Sequence, residues 1–136
     1  MRPRTQTRWR RQRGQSLVET ALMIVVIFTV VFWIFELGWL MYTYSVLADA
    51  VNEGVRYAIV HSGGDPAGTQ AKVETFAATS LHDVSAISTS VTFPDGSSAP
   101  PNRVQVTVTY TYIPYLPQFI TAPTMTTYAE GRMVIQ

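Results

Sequence analysis

The 136 residues carry ten basic and nine acidic side chains and no cysteine, which leaves room for one small domain with one appended element and excludes a disulfide-held fold. The formal charge of +1 conceals a division. Arg2, Arg4, Arg8, Arg10, Arg11 and Arg13 supply six of the ten cations ahead of the first acid, Glu19, and from Gln15 onward four basic residues face nine acidic ones. A basic tip of this kind raises nucleic-acid binding as a reading. The apolar run that adjoins it argues instead for retention at the cytoplasmic side of a membrane, with Arg8, Arg10, Arg11 and Arg13 setting the orientation and everything after the run outside.

Thr20 to Phe35 are sixteen residues without a charge, a glycine or a proline. As a helix they rise about 24 Å, and Leu17, Val18 and Leu37 to Tyr42 extend them towards the ~20 residues that a bilayer needs. Trp33, Trp39, Tyr42 and Tyr44 collect at the far end, as aromatic side chains do at an outer interface. Glu19 lies just inside the near edge. A carboxylate within lipid is costly, so it either snorkels to the headgroup water or has a partner.

From Leu40 the apolar positions become one-sided: Leu40, Tyr44, Leu47, Val51, Val55 and Ala58 recur at three- and four-residue intervals, an amphipathic stripe. Asp49, Asn52, Glu53 and Arg56 take the other side, with Glu53 and Arg56 spaced to pair weakly. Ala50, Gly54 and Ala58 form a ridge of small residues that lets another backbone, from a sheet or a neighbour, approach closely. The stop comes at "HSGGDP". The pattern predicts one helix over 15–61, about 45 residues and close to 70 Å long, its first half in lipid and its second half packed on a soluble domain.

Residues 62–136 read as that domain, outside the membrane. Pro66 to Leu81 predicts a helix with Ala71, Val73, Phe76, Ala77 and Leu81 as its apolar face. "ISTSVTF" predicts a strand, followed by the loop "PDGSSAPPN". In "RVQVTVTYTYI" Val104, Val106, Val108, Tyr110 and Tyr112 alternate with Gln105, Thr107, Thr109 and Thr111, as in an antiparallel sheet with one buried face. The loop "IPYLPQFITAP" leads to a last strand, "TMTTYAEGRMVI". The sheet's apolar face and the helix stripe each need a cover and supply one another, so the fold class expected is α+β.

No catalytic constellation accompanies these elements. His61 and His82 are the only histidines, at presumed helix ends and outside any metal-ligand spacing. No nucleophile elbow, phosphate-cradling loop or zinc signature occurs. Neither an enzymatic activity nor a cofactor is expected, because a site must carry such a claim.

"RGQSLVETAL", "ELGWLMY" and "ADAVNEGVRYAIV" together closely resemble the N-terminal half of TadE-like proteins, the pilin-like or minor-pilin subunits encoded with tight-adherence pili. The resemblance covers roughly residues 12 to 60, with Thr20 where the family usually has an aromatic. It implies a pilin-like fold and a bacterial prepilin-type leader, 1–14, cut by a membrane-embedded prepilin peptidase between Gly14 and Gln15. Glu19 is then the fifth residue of the mature chain, where pilins carry a glutamate that pairs with the new N-terminal amine of a neighbouring subunit. A buried carboxylate is tolerable chiefly when paired, which agrees. The partners implied are other pilin or pseudopilin subunits, the peptidase and the lipid bilayer, with no nucleic acid. The setting implied is the inner membrane, and after cleavage an extracellular filament used in adhesion or secretion.

Three other readings stand beside this one. The chain is an unprocessed single-span accessory subunit of a larger membrane complex, or a periplasmic binding module, although no apolar pocket is evident from the sequence. A secretory signal ending at Ala48 has acceptable small residues, but its apolar region is too long.

Overall fold

The apolar run and the stripe that follows it lie in one helix. The computed structural model describes residues 6–61, 63, 65–81, 83–115, 117 and 121–134, with side chains from Gly14 onward within that helix. Helix α1 is Gln6–Ala58. It already includes Gln6 to Gly14, ahead of the Gln15 expected from the sequence, since no proline interrupts that arginine- and glutamine-rich approach and Gly14 alone costs about 1 kcal/mol against Ala. It stops at Ala58, where the Val60 and His61 amides donate to the Tyr57 and Ala58 carbonyls at 3.3 and 3.4 Å, tightening the last turn. Gly63 then takes φ 63°, a backbone region that glycine enters freely.

Helix α2, Pro66–Ala78, opens on Asp65, whose side chain accepts from the Gly68 amide, with Pro66 in the first turn. Both features are suited to a helix start. Strands β1 (Ile87–Thr92), β2 (Arg103–Thr111) and β3 (Thr124–Arg132) form an antiparallel sheet in the order β1-β2-β3. Val106 stands opposite Val91 on one side and Ala129 on the other. That register puts Val104, Val106, Val108 and Tyr110 on one buried face, and a one-residue slip would turn all four to water.

The chain divides into two compact units, Met1–Gly38 and Trp39–Gln136. In the first, the described apolar side chains stand outward. In the second, Leu47, Ala50, Val51, Val55 and Ala58 of α1 join Val73 and Ala77 of α2 and the valine face of β2 in one core. Two glycines set how closely these layers meet. A Cβ on Gly54 would lie 2.6 Å from Val73 Cγ2, and one on Gly131 of β3 would lie 2.7 Å from Val55 Cγ1 and 2.8 Å from Ile59 Cγ2. The end of the chain is tied down as well: the Met133 amide donates to Asn102 O and the Val134 amide to Ile59 O.

The α+β class is as the sequence predicts, and two details of facing differ. Tyr44 is 49% exposed, and Thr43, at 1%, takes the inner position. Its hydroxyl donates to the Trp39 carbonyl at 2.9 Å, so burial leaves no polar atom unmet. In α2, Ala71 and Phe76 are exposed while Thr69, Val73 and Ala77 face inward. The close crossing at Gly54, where a Cβ would stand 3.6 Å from Thr69 Cγ2, admits small and β-branched side chains and turns the phenylalanine out. Leu81, read as the helix's last apolar residue, lies beyond its end but is buried.

Candidate processing and assembly segment

Gly14 and Gln15 lie inside α1 and are exposed, and a Cβ on Gly14 would meet nothing within 4 Å. Glu19 is exposed too. It stands four residues on from Gln15, so the two share a helix face one turn apart. Arg8, Arg10, Arg11 and Arg13 belong to α1 by backbone, and their side chains, like His82, lie outside the described residues.

Beyond Glu19 the apolar side chains point outward on every side of the helix. Leu17 is 72% exposed and Phe35 71%. The two threonine hydroxyls among them are satisfied within the helix: Thr20 Oγ1 donates to Ser16 O at 2.9 Å and Thr29 Oγ1 to Val25 O at 2.8 Å. Hydroxyls bonded in this way are compatible with an apolar solvent, which offers no water to replace the bond. Among the described residues this is the one helix long and apolar enough to cross a membrane, and it is a candidate membrane anchor. Glu36, which follows the uncharged run and opens "ELGWLMY", is 4% exposed and engaged with other groups.

The small-residue ridge has different surroundings. Ala50, Gly54 and Ala58 are buried within the second unit, where Gly54 faces Val73 of α2 and Val106 of β2. Glu53 and Arg56 lie on the outer side, 3.8 Å apart. At the end of α1, Tyr57 donates to Asp65 Oδ2 at 3.0 Å, and this bond to a carboxylate holds the phenol above its ordinary pKa. His61 stacks on Tyr57 with ring centroids 3.8 Å apart and meets the Tyr57 carbonyl through Nδ1. The histidine and the acid thus help to close the helix end. Across the sheet, Arg103 pairs with Asp95 at 2.9 Å and Glu130 at 3.3 Å, and the guanidinium and amide donors of Arg103 hold the Asp95 carboxyl below its ordinary value.

Sequence reasoning missed two contributors. Gly131 marks where β3 crosses α1, and an isolated glycine in a strand pattern is a signal for such an approach. Tyr115 sits in a proline-punctuated loop and packs edge-on to Trp39 at 6.1 Å between centroids; nothing in the pattern of that loop announces the contact.

No curated protein and no solved structure matches the chain. A family model does: residues 14–56, from the predicted cleavage glycine to the arginine beyond Gly54, match the family described as TadE-like protein. The match covers about a third of the chain, so it likens this segment, and not the whole chain, to TadE-like proteins.

Proposed function

We propose that the protein is a TadE-like pseudopilin or minor pilin, a structural subunit in the assembly of a surface filament that serves adhesion or secretion. The observation that carries the reading is the coincidence of the TadE-like segment, 14–56, with the outward-facing apolar stretch of α1, which begins just after an arginine cluster. The arginines hold the N-terminus in the cytoplasm, and the domain of residues 62–136 lies on the other side of the inner membrane. A prepilin peptidase cuts between Gly14 and Gln15. The open surroundings of Gly14 suit a cleft fitted to a small residue, and the helical backbone there must unwind to enter it. Removal of the leader frees the helix to leave the bilayer, since carrying guanidinium groups through lipid is costly.

The cut creates an amine at Gln15. Glu19, one turn away, then does two things: it complements the positive end of the new helix and offers its carboxylate to the amine of an adjacent subunit. Ala50, Gly54 and Ala58 serve assembly through the fold they allow. The alternative is an unprocessed single-span accessory subunit, favoured by the fact that Gly14 and Gln15 lie within an unbroken helix.

Intact mass and N-terminal sequencing of the protein purified from its native membrane separate the two. A chain beginning at Gln15 is expected. A chain beginning at Met1 overturns the filament reading in favour of the accessory subunit. A bulky residue at position 14 is expected to block processing, and Gly14→Ala to slow it less.

A further inference from the structure

The sheet of the second unit has two unlike ends. At one end lie Asp95, Arg103, Glu130 and Arg132. At the other, β2 runs out at Thr111 opposite Thr124, and from Val104 to Ala129 the sequence contains no charged residue. The loop that leaves this second end is clamped at its base, where the buried Tyr112 donates its amide to Pro123 O at 3.0 Å. Its next residues alternate: Ile113 is 62% exposed, Pro114 is buried, and Tyr115 is 70% exposed. An isoleucine and a tyrosine are therefore presented outward next to this clamp. Asp83 has its carboxylate occupied by the amide and hydroxyl of Ser85 at 2.9 and 2.6 Å, and Glu36, three residues before Trp39, is buried and engaged with other groups.

Tyr115 also touches Trp39, which in turn packs on Tyr42 at 5.4 Å. Beside the Trp39–Tyr115 pair, Ala78, Thr79, Ser80 and Leu81 line a cavity of about 500 Å³. Trp39 follows the uncharged run of α1 within one turn. If that run is in lipid, Trp39 and Tyr42 stand at the water boundary, where amphipathic rings are favoured, and the contact with Trp39 carries Tyr115 to the same level.

We propose that the loop at Ile113 and Tyr115 is a second membrane contact, inserting into the interface of the outer leaflet beside Trp39 and Tyr42. The partner is the glycerol and upper acyl region of a bilayer, recognised through apolar and aromatic side chains rather than charge. The inference rests on the membrane-anchor reading. It adds that the outer domain meets the lipid surface at the end that carries Ile113 and Tyr115, with Asp95 and Arg103 at the end turned towards water. Exposed apolar groups of this kind also mark protein interfaces. Lipid is favoured over a neighbouring subunit because the patch continues directly from the aromatic end of the anchor.

Because the chain has no cysteine, single labels report on chosen positions. Full-length Ile113→Cys, Ser97→Cys and Ile27→Cys, each carrying an environment-sensitive fluorophore, are reconstituted at high dilution in phosphatidylcholine vesicles with and without a lipid-borne quencher. Along β2 the Ser97 end lies about 27 Å from the loop, at about 3.4 Å per residue. The label at 113 is expected to shift to the blue, to be quenched by the lipid-borne group, and to lose several-fold in iodide quenching relative to the label at 97. Tyr115→Glu in the Ile113→Cys chain should reverse these changes. Should the label at 27 be quenched from the lipid while that at 113 behaves like that at 97, this inference alone falls. Should the label at 27 also escape lipid quenching, the anchor reading falls with it. Shielding at 113 that arises only in the native assembly, and not in dilute vesicles, would assign the patch to a neighbouring subunit and overturn the proposal.

Discussion

Helix α1 treats its apolar residues in two ways. From Leu17 to Phe35 the large apolar side chains are all exposed, from 39% at Val31 to 72% at Leu17, whereas Leu47, Ala50, Val51 and Ala58 are at 0%. Both stretches are helical, so propensity does not separate them. Charge content and angular distribution do: apolar residues surround the first stretch, while in the second Asp49, Asn52, Glu53 and Arg56 leave them one side. An apolar side chain left in water forgoes about 1.5–3 kcal/mol, so a handful outweighs the ~5–15 kcal/mol by which a domain is stable. The first stretch needs a different solvent, lipid or the helices of other subunits. The second already has its cover in α2 and the sheet.

The largest expected effect breaks the outward half. If Glu19 pairs with the amine of Gln15 on an adjacent subunit, Glu19→Gln keeps the shape but leaves that amine without its counter-charge. An ion left alone in an apolar setting typically costs ~3–5 kcal/mol, more than a hundredfold in association. Insertion into the membrane should be unchanged or easier, because a neutral side chain enters lipid more cheaply. Cell fractionation with co-purification of partner subunits is expected to show normal insertion, normal cleavage and lost incorporation. Normal incorporation would reduce Glu19 to a side chain that snorkels at the membrane surface.

Gly54 is the place to break the inward half. A methyl group there would stand 2.6 Å from Val73 Cγ2, and Val73 is fully buried with a stiff, β-branched side chain. Alanine gains about 1 kcal/mol in helix propensity against about 1–3 kcal/mol of overpacking. Gly54→Ala should therefore be mildly destabilising and Gly54→Leu strongly so. At roughly 4–8 °C per kcal/mol for a domain of this size, thermal unfolding of the full chain in detergent resolves both. Val73→Ala in the Gly54→Ala background should recover part of the loss, a coupling that a double-mutant cycle measures. An unchanged midpoint for Gly54→Leu would mean that the crossing is not tight.

These two halves were unequally legible. The uncharged run, the stripe, the stop at His61 to Pro66 and the strict alternation of β2 are local patterns of period 3.6 or 2, and local patterns survive in a sequence. What decides between two candidates for one inner position is not local. Thr43 is buried in place of Tyr44 because its hydroxyl bonds its own helix, and Phe76 is turned out because α2 crosses α1 at Gly54. The Gly54 ridge could be read, but whether it met a sheet, a helix or a neighbour could not. The partners of Gly131 and Tyr115 come from across the chain, and no spacing encodes them. For the processing and assembly segment, Glu19 stood out as a carboxylate at the edge of an apolar run, but the cut at Gly14 and the pairing of Glu19 were suggested only by motif resemblance, since both residues are exposed in this chain and their proposed partners are other molecules.

The smallest expected effect sharpens the comparison at the charged end of the sheet, where stability is electrostatic rather than apolar. Asp95 accepts from the amide and side chain of Arg103, and its carboxyl is held below the ordinary 3.8. A depressed folded-state value means that the unfolded chain binds the proton more readily. The stabilisation is therefore complete above the ordinary value and is lost as pH falls through the lowered one. Arg103 remains charged throughout, so Asp95 is the titrating partner. The pair is open to water and its contribution is screened by salt. Asp95→Asn should lower the unfolding midpoint slightly at neutral pH and low salt. The difference should shrink in molar salt, begin to fall as pH drops through the ordinary carboxylate value, and vanish only at the lower pH where the native carboxyl takes up its proton. A midpoint difference that persists in acid and in salt would mean that Asp95 acts through the shape of its turn and not through its charge.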